Sequence, residues 1–175
     1  MNSGMKRRVD ELGRIVLPRE IRKSYRIDTG AKLEIYVNDE GCIVLKKATE
    51  LPDRKEYERV VTALASAIEN DILITDREQV LASNRKRFID KHLTDETYDI
   101  VRKQDSVLKN RAQGAIMVNV IEGEKTNYNG ELFVPIVRDG DSIGAIIVLA
   151  DENKTLSTEN IKLCKAFALM LSLVD

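Results

Sequence analysis

The run Arg7-Arg8-Val9-Asp10-Glu11-Leu12-Gly13-Arg14-Ile15-Val16-Leu17-Pro18-Arg19-Glu20-Ile21-Arg22-Lys23 constrains the fold of this chain more than any other stretch. Its apolar and turn positions read as strand (Met5 to Val9), tight turn, strand (Arg14 to Leu17), and a short helix (Arg19 to Tyr25) entered through a proline. Gly13 supplies the permissive backbone that a turn at 10–13 needs. Pro18, with its fixed φ and no amide hydrogen to donate, suits the first turn of a helix. The polar positions are mostly cationic. Between Lys6 and Arg26 eight Lys/Arg (6, 7, 8, 14, 19, 22, 23 and 26) face three acids (10, 11 and 20), a local net of +5 in a chain whose formal charge is −1. A basic stretch on a near-neutral protein localises the field, and phosphate backbones are the usual target of such a field. Most charge runs are plain solvated faces. Here the charges sit on a turn-rich element rather than along one helix or tail, which favours a binding role.

The same unit continues into a hairpin. Lys32 to Val37 alternates polar and apolar, with Leu33, Ile35 and Val37 on one face. Asn38 to Gly41 is the turn, and Cys42 to Lys46 returns with Ile43 and Leu45 on one face. A unit of about 47 residues buries too little surface to stand alone without a disulfide or a metal. Sharing a core with a second copy is the simplest remedy, so size alone predicts an obligate dimer through residues 5–47.

A polar, proline-containing segment at 49–55 reads as the linker, giving an N-terminal domain over 1–50 and a C-terminal domain over 54–175. From the linker to about Asn70 the pattern is helical, with Tyr57, Val60, Val61, Leu64 and Ile68 in one stripe. Strands are expected at 71–76 and 79–83, and short helices at 84–91 and 94–103, the second capped by Thr94. Further strands are expected at 115–121, 131–137 and 142–149. Pro135 argues for an edge position or a bulge, and Asp139-Gly140 for a tight hairpin turn. The 142–149 strand is the most apolar and should be central. Ser157 caps a last helix whose end, Phe167 to Val174, is apolar nearly all round. A helix lying on one sheet needs one apolar stripe, so the surplus points to a helix from another protomer. The second unit reads as an antiparallel sheet with helices to one side, making the chain α+β with a sensor-like second domain.

The residues for catalysis are missing. His92, the single histidine, sits in a polar region and reads as a surface residue. Cys42 and Cys164 are far apart in sequence and read as reduced and mostly structural, with no metal-ligand spacing. Asp10-Glu11 and Asp95-Glu96 read as solvated neighbours rather than acid/base pairs. Gly144 lies inside a strand and reads as a packing or bulge position, not a phosphate cradle. The expectation is therefore no enzyme, no cofactor and no metal. No apolar run approaches the ~18 residues of a membrane span, and the basic N-terminus lacks the apolar core of a secretion signal, which suits a cytoplasmic protein. A small effector could sit between the sheet and the excursion at 84–130, where Val107, Leu108, Met117 and Tyr128 would line a pocket or simply fill the core.

Val9 to Pro18, Glu20-Ile21-Arg22-Lys23, Leu33 to Val37 and Ile43 to Lys47 together resemble the AbrB-type swapped-hairpin family of bacterial transition-state regulators. In that family two chains interleave their hairpins into one barrel-like dimer with a cationic DNA-binding face. The resemblance assigns DNA contact to Arg7, Arg8, Arg14, Arg22 and Lys23, with Lys6 and Arg19 as phosphate neighbours. Arg14 and Arg7 are the candidates for reaching base edges. Ile72 to Asp76 and the Pro135 to Ala145 region are similar to regulators in which such a domain is joined to a GAF-like domain. The resemblance implies double-stranded DNA as partner, tetramers formed through the C-terminal helices, and control of forespore genes during sporulation. Hairpin domains of this type also occur in antitoxins, and a sensor without a DNA role is the remaining alternative.

Overall fold

Two loops built on one plan organise the first unit. Asp10 N–H donates to Arg14 O at 3.0 Å and Gly13 N–H to Asp10 O at 2.9 Å, while Arg14 N–H donates to Asp10 Oδ1 at 2.9 Å. Asn38 N–H donates to Cys42 O at 3.0 Å and Gly41 N–H to Asn38 O at 2.9 Å, while Cys42 N–H donates to Asn38 Oδ1 at 2.8 Å. Gly13 and Gly41 take φ of 75° and 76°, the left-handed region that glycine enters without strain. The second loop joins β1 (Leu33–Val37) to β2 (Ile43–Lys47), paired antiparallel with Ile35 opposite Leu45 and Val37 opposite Ile43. Between the loops, α1 (Arg19–Ser24) follows Pro18, whose φ is −56°.

The chain divides into this unit, 1–49, and a second, 50–175. The computed structural model describes residues 4–27, 29–47, 54–124 and 127–173; most of the expected linker at 49–55 lies outside them. The strands expected at Met5 to Val9 and Arg14 to Leu17 do not form a ladder within the described chain, although the loop between them closes. Their backbone has no partner strand in a single copy. The apolar side chains tell the same story. Among the described side chains of the first unit only Pro18 is buried, while Val16, Leu12, Ile35 and Ile43 are 77%, 74%, 70% and 68% exposed. A two-stranded hairpin with an uncovered apolar face is marginal in water.

The second unit is a five-stranded antiparallel sheet in the order β4-β3-β7-β6-β5, comprising β3 (Asp71–Thr75), β4 (Val80–Ser83), β5 (Val107–Asn110), β6 (Gly130–Arg138) and β7 (Asp141–Ala150). The apolar run of β7 places it in the middle, as its composition requires. One face carries Ile72, Ile74, Leu132, Val134, Ile146 and Val148. It is covered by α2 (Arg54–Ile68) and α4 (Thr158–Ser172) through Tyr57, Val60, Leu64, Cys164, Ala168 and Leu171. The other face carries Leu73, Phe133, Ala145, Ile147 and Leu149. It packs on Phe88, Leu93, Val118, Val120, Ile121 and Val101 of α3 (Asp95–Val101). Helices therefore lie on both faces, not on one side as the sequence suggested.

Local signals explain most boundaries. Thr94 Oγ1 accepts the N–H of Thr97 and caps α3. Ser157 N–H donates to Asn160 Oδ1 at 2.8 Å at the start of α4. Asp139 and Gly140, at φ of 52° and 83°, form the β6–β7 turn with the left-handed pair that a two-residue hairpin demands. Pro135 lies past Phe133, the last β6 residue that pairs with β5, so its missing N–H costs no ladder bond there.

Two expected elements do not form, and one strand was not expected. The helix at 84–91 is only a 3-10 turn at Lys86–Phe88. Asn84 is used to tie two strands, accepting from Ile72 N–H and donating to Asn70 O, and Asp90 turns the chain at φ 64°. The strand at 115–121 is irregular apart from a bridge between Leu93 and Ile121. The strand on that side of β6 is β5, four residues too short to announce itself.

Candidate nucleic-acid interface

Asp10 shapes the basic surface from below. Its Oδ1 accepts the N–H of Leu12 at 3.0 Å and of Arg14 at 2.9 Å, and its Oδ2 accepts Arg14 Nε at 2.8 Å. These bonds, from the Arg14 backbone first and its side chain second, hold the Asp10 carboxyl below the usual carboxylate range. Asp10 is solvent-exposed, as its sequence context suggests, and is in addition tied to Arg14. The Asp-x-x-Gly spacing, repeated as Asn-x-x-Gly at 38–41, was the available signal.

The expected DNA-contacting residues are all exposed: Lys6, Arg7, Arg8, Arg14, Arg19, Arg22 and Lys23. Arg19, Arg22 and Lys23 fall at i, i+3 and i+4 of α1 and so share one helical face. Arg7 and Arg8 precede the first loop and Arg14 follows it. Among the described residues, Arg14 alone of these seven is in an ion pair.

The second unit holds a different constellation. Asp71, 3% exposed, accepts Arg85 Nε at 2.6 Å and the Tyr128 hydroxyl at 2.8 Å. Arg87 donates to the same hydroxyl at 3.3 Å and lies 4.6 Å from the centroid of the Phe88 ring. Burial, reinforced by Asp71, pushes the Tyr128 phenol up to about 12, so it stays a donor. A surface cleft of about 570 Å³ adjoins it, lined by Arg87, Tyr128, Asp151 and Lys154 among others. Of the two roles open to Val107, Leu108, Met117 and Tyr128, core filling is the one seen for Val107, Leu108 and Tyr128. Leu108 packs on the α2/α4 side of the sheet, and Val107 and Tyr128 on the other. His92 is exposed and Cys164 is buried, its thiol pushed up to about 12 by desolvation. Among the described residues no helix is long and apolar enough to cross a membrane.

A family model described as stage V sporulation protein T C-terminal, transcription factor, matches residues 54–173. The chain is also 35% identical over 157 residues to stage V sporulation protein T of Bacillus subtilis (strain 168), spanning 86% of this chain and 85% of that protein. The chain belongs to the stage V sporulation protein T family. Its N-terminal unit matches a model described as antidote-toxin recognition MazE, bacterial antitoxin, over residues 6–53. It is also 52% identical over 46 residues to the transition state regulatory protein AbrB of the same organism, 26% of this chain and 47% of the relative.

The second unit of this sporulation-protein-T relative has the GAF fold. It superposes on the GAF domain of an Acinetobacter phosphoenolpyruvate-protein phosphotransferase with a TM-score of 0.57 at 17% identity, covering 68% of this chain and 79% of that one. A free methionine-R-sulfoxide reductase from Thermoplasma acidophilum gives 0.53 at 15% identity, covering 68% and 89%. The expected architecture, an AbrB-like N-terminal unit followed by a GAF-like one, is thus the one present.

Proposed function

We propose that two copies of this chain interleave their first units, and that the dimer's basic surface binds double-stranded DNA through Arg7, Arg8, Arg14, Arg22 and Lys23, with Lys6 and Arg19 on flanking phosphates. Family membership makes the chain a DNA-binding transcription regulator of sporulation; the exposed cations of the first unit support this surface as the one that binds. The observation that carries the reading is the coincidence, in one unit, of seven exposed cations and an apolar hairpin face that a single copy leaves in water. Phosphate contacts then supply most of the affinity, and DNA shape with a few arginine–base contacts supplies the selectivity.

The GAF-like domain over 54–175 acts as the sensing and assembling half. Leu169 on α4 and Leu173 just past its end are 62% and 75% exposed, with Met170 beside Leu169, which supports tetramers built through the C-terminal helices. An effector, where there is one, acts on this half. Nothing in the second unit calls for catalysis, and the activity suits a cytoplasmic, forespore setting. The antitoxin reading rests on the match at 6–53; the folded GAF-like unit, in place of a toxin-wrapping tail, stands against it.

Gel-shift titration of the full chain in increasing salt tests the assignment. Arg14→Ala and Arg22→Ala should each weaken binding and lower the slope of log K against log salt by about one per contact removed in each copy. Unchanged affinity and slope would remove those residues from the interface. Light scattering tests the assembly: Leu169→Glu with Leu173→Glu should halve the particle mass, and a wild-type monomer would sink the shared core.

A further inference from the structure

We propose that Asp10 is a positioning residue for DNA recognition, holding the Arg14 guanidinium so that its outer edge meets the duplex in one orientation. The inference rests on the reading above that Arg14 contacts DNA.

The two loops of the first unit make the argument. Both are closed by the same three bonds, and in both a single side-chain oxygen at the first position accepts the N–H four residues on: Asp10 Oδ1 for Arg14, Asn38 Oδ1 for Cys42. The Asn38 loop shows that one neutral amide oxygen suffices to close this turn. The charge and second oxygen of Asp10 are therefore surplus to the backbone. That second oxygen is spent on Arg14 Nε, at 2.8 Å.

An acid beside a phosphate-binding arginine would by itself weaken binding, since its negative charge cancels the arginine's positive one at a distance. What it gives in return is geometry. A guanidinium has five N–H donors in a rigid fork. With Nε engaged by Asp10, the Nη1 and Nη2 groups remain for a partner, and Arg14 is 69% exposed at its side chain. That outer edge can take a phosphate, or the O6/N7 edge of guanine, in bidentate fashion. Fixing one end of a long, flexible side chain in advance also reduces the ordering cost on binding. Orientation matters more for a base edge than for the diffuse field of the phosphates. Asp10 should therefore act on selectivity rather than on overall affinity.

The test uses the full chain and two duplexes: one enriched from a random library by the wild-type protein, and a scrambled duplex of the same composition. Asp10→Asn keeps an amide oxygen for the loop, as Asn38 does, and removes the grip on Arg14 Nε. Its preference for the enriched duplex should fall about tenfold, the lower end of what one bidentate base contact discriminates. Binding to the scrambled duplex should hold or tighten with the lost negative charge, and the protein's unfolding midpoint should hold. In an Arg14→Ala background the same substitution should leave the preference unchanged, because the coupling runs through Arg14. Tighter binding to both duplexes with unaltered preference would overturn the proposal and leave Asp10 as an opposing charge only. Equal loss on both duplexes would also overturn it while leaving the interface standing. If Arg14→Ala changes neither duplex, the interface assignment of Arg14 fails, and the positioning role with it.

Discussion

Glu131 and Val118 meet inside the second unit: the Glu131 carboxylate, fully buried, accepts the Val118 N–H at 3.0 Å and 3.2 Å through its two oxygens. This one contact fastens the irregular 115–120 segment to β6. A carboxylate so placed loses its water and gains a single backbone donor. Burial outweighs that hydrogen bond and raises the Glu131 pKa. The folded state therefore holds the proton more tightly than the unfolded chain. Its stabilising effect is complete below the unfolded value and is lost as pH rises through the folded one. Glu131→Gln keeps an acceptor for Val118 and removes the charge. It should be neutral to stabilising at pH 7, with the difference from wild type shrinking toward pH 4. Glu131→Ala orphans the amide and should cost about 1–3 kcal/mol. Urea unfolding of the three proteins at several pH values checks both signs.

Tyr128 makes a second pH prediction. Its hydroxyl donates to Asp71, and its phenol is raised to about 12, so its contribution is present below pH 10 and lost as pH rises through 12. Tyr128→Phe leaves one oxygen of a buried carboxylate without its donor and should cost about 1–3 kcal/mol at neutral pH. The variant should also show a shallower alkaline loss of stability between pH 10 and 12, read from thermal unfolding.

Gly144 faces Thr75 across the central strand pair. A Cβ there would come 2.0 Å from the Thr75 carbonyl oxygen, which cannot retreat without opening the β3–β7 ladder. Gly144→Ala should destabilise the second unit by about 3 kcal/mol or more, visible as a lowered urea midpoint. A midpoint within experimental error of wild type would contradict this packing.

Ile43 stands opposite Val37 on the uncovered hairpin face and is 68% exposed. Ile43→Ala removes buried apolar surface only if a second copy covers that face. The loss should be about 2 kcal/mol per copy; with two copies in each dimer that is about 4 kcal/mol, about a thousandfold rise in the dissociation constant of the dimer. Sedimentation over a dilution series checks it, and unaltered association would exclude this face from the interface.

Much of this was legible in the sequence where one residue decides the backbone. Gly13, Gly41, Asp139-Gly140, Thr94 and Ser157 mark turns and caps because their own chemistry is the cause. The central place of β7 follows from its unbroken apolar run. What escaped depends on partners distant in sequence or absent from the chain. Met5 to Val9 and Arg14 to Leu17 have strand patterns, but their ladder needs another backbone. Asn84 leaves the expected helix because Asn70 and Ile72 claim its amide. Val118 leaves the expected strand because Glu131 claims its N–H. In the site, the cations were visible one by one, whereas the grip of Asp10 on Arg14 arises only once the loop is closed.

The exposure of most of the first unit's apolar side chains has a quantitative consequence for a cell. On the reading proposed above, the DNA surface exists only when two chains meet and is counted in pairs. Well below the dimer's dissociation constant, halving the protein concentration by dilution during growth would cut the concentration of DNA-competent dimers by about fourfold. Target genes would then feel a change in gene dosage as something closer to a threshold than a dial.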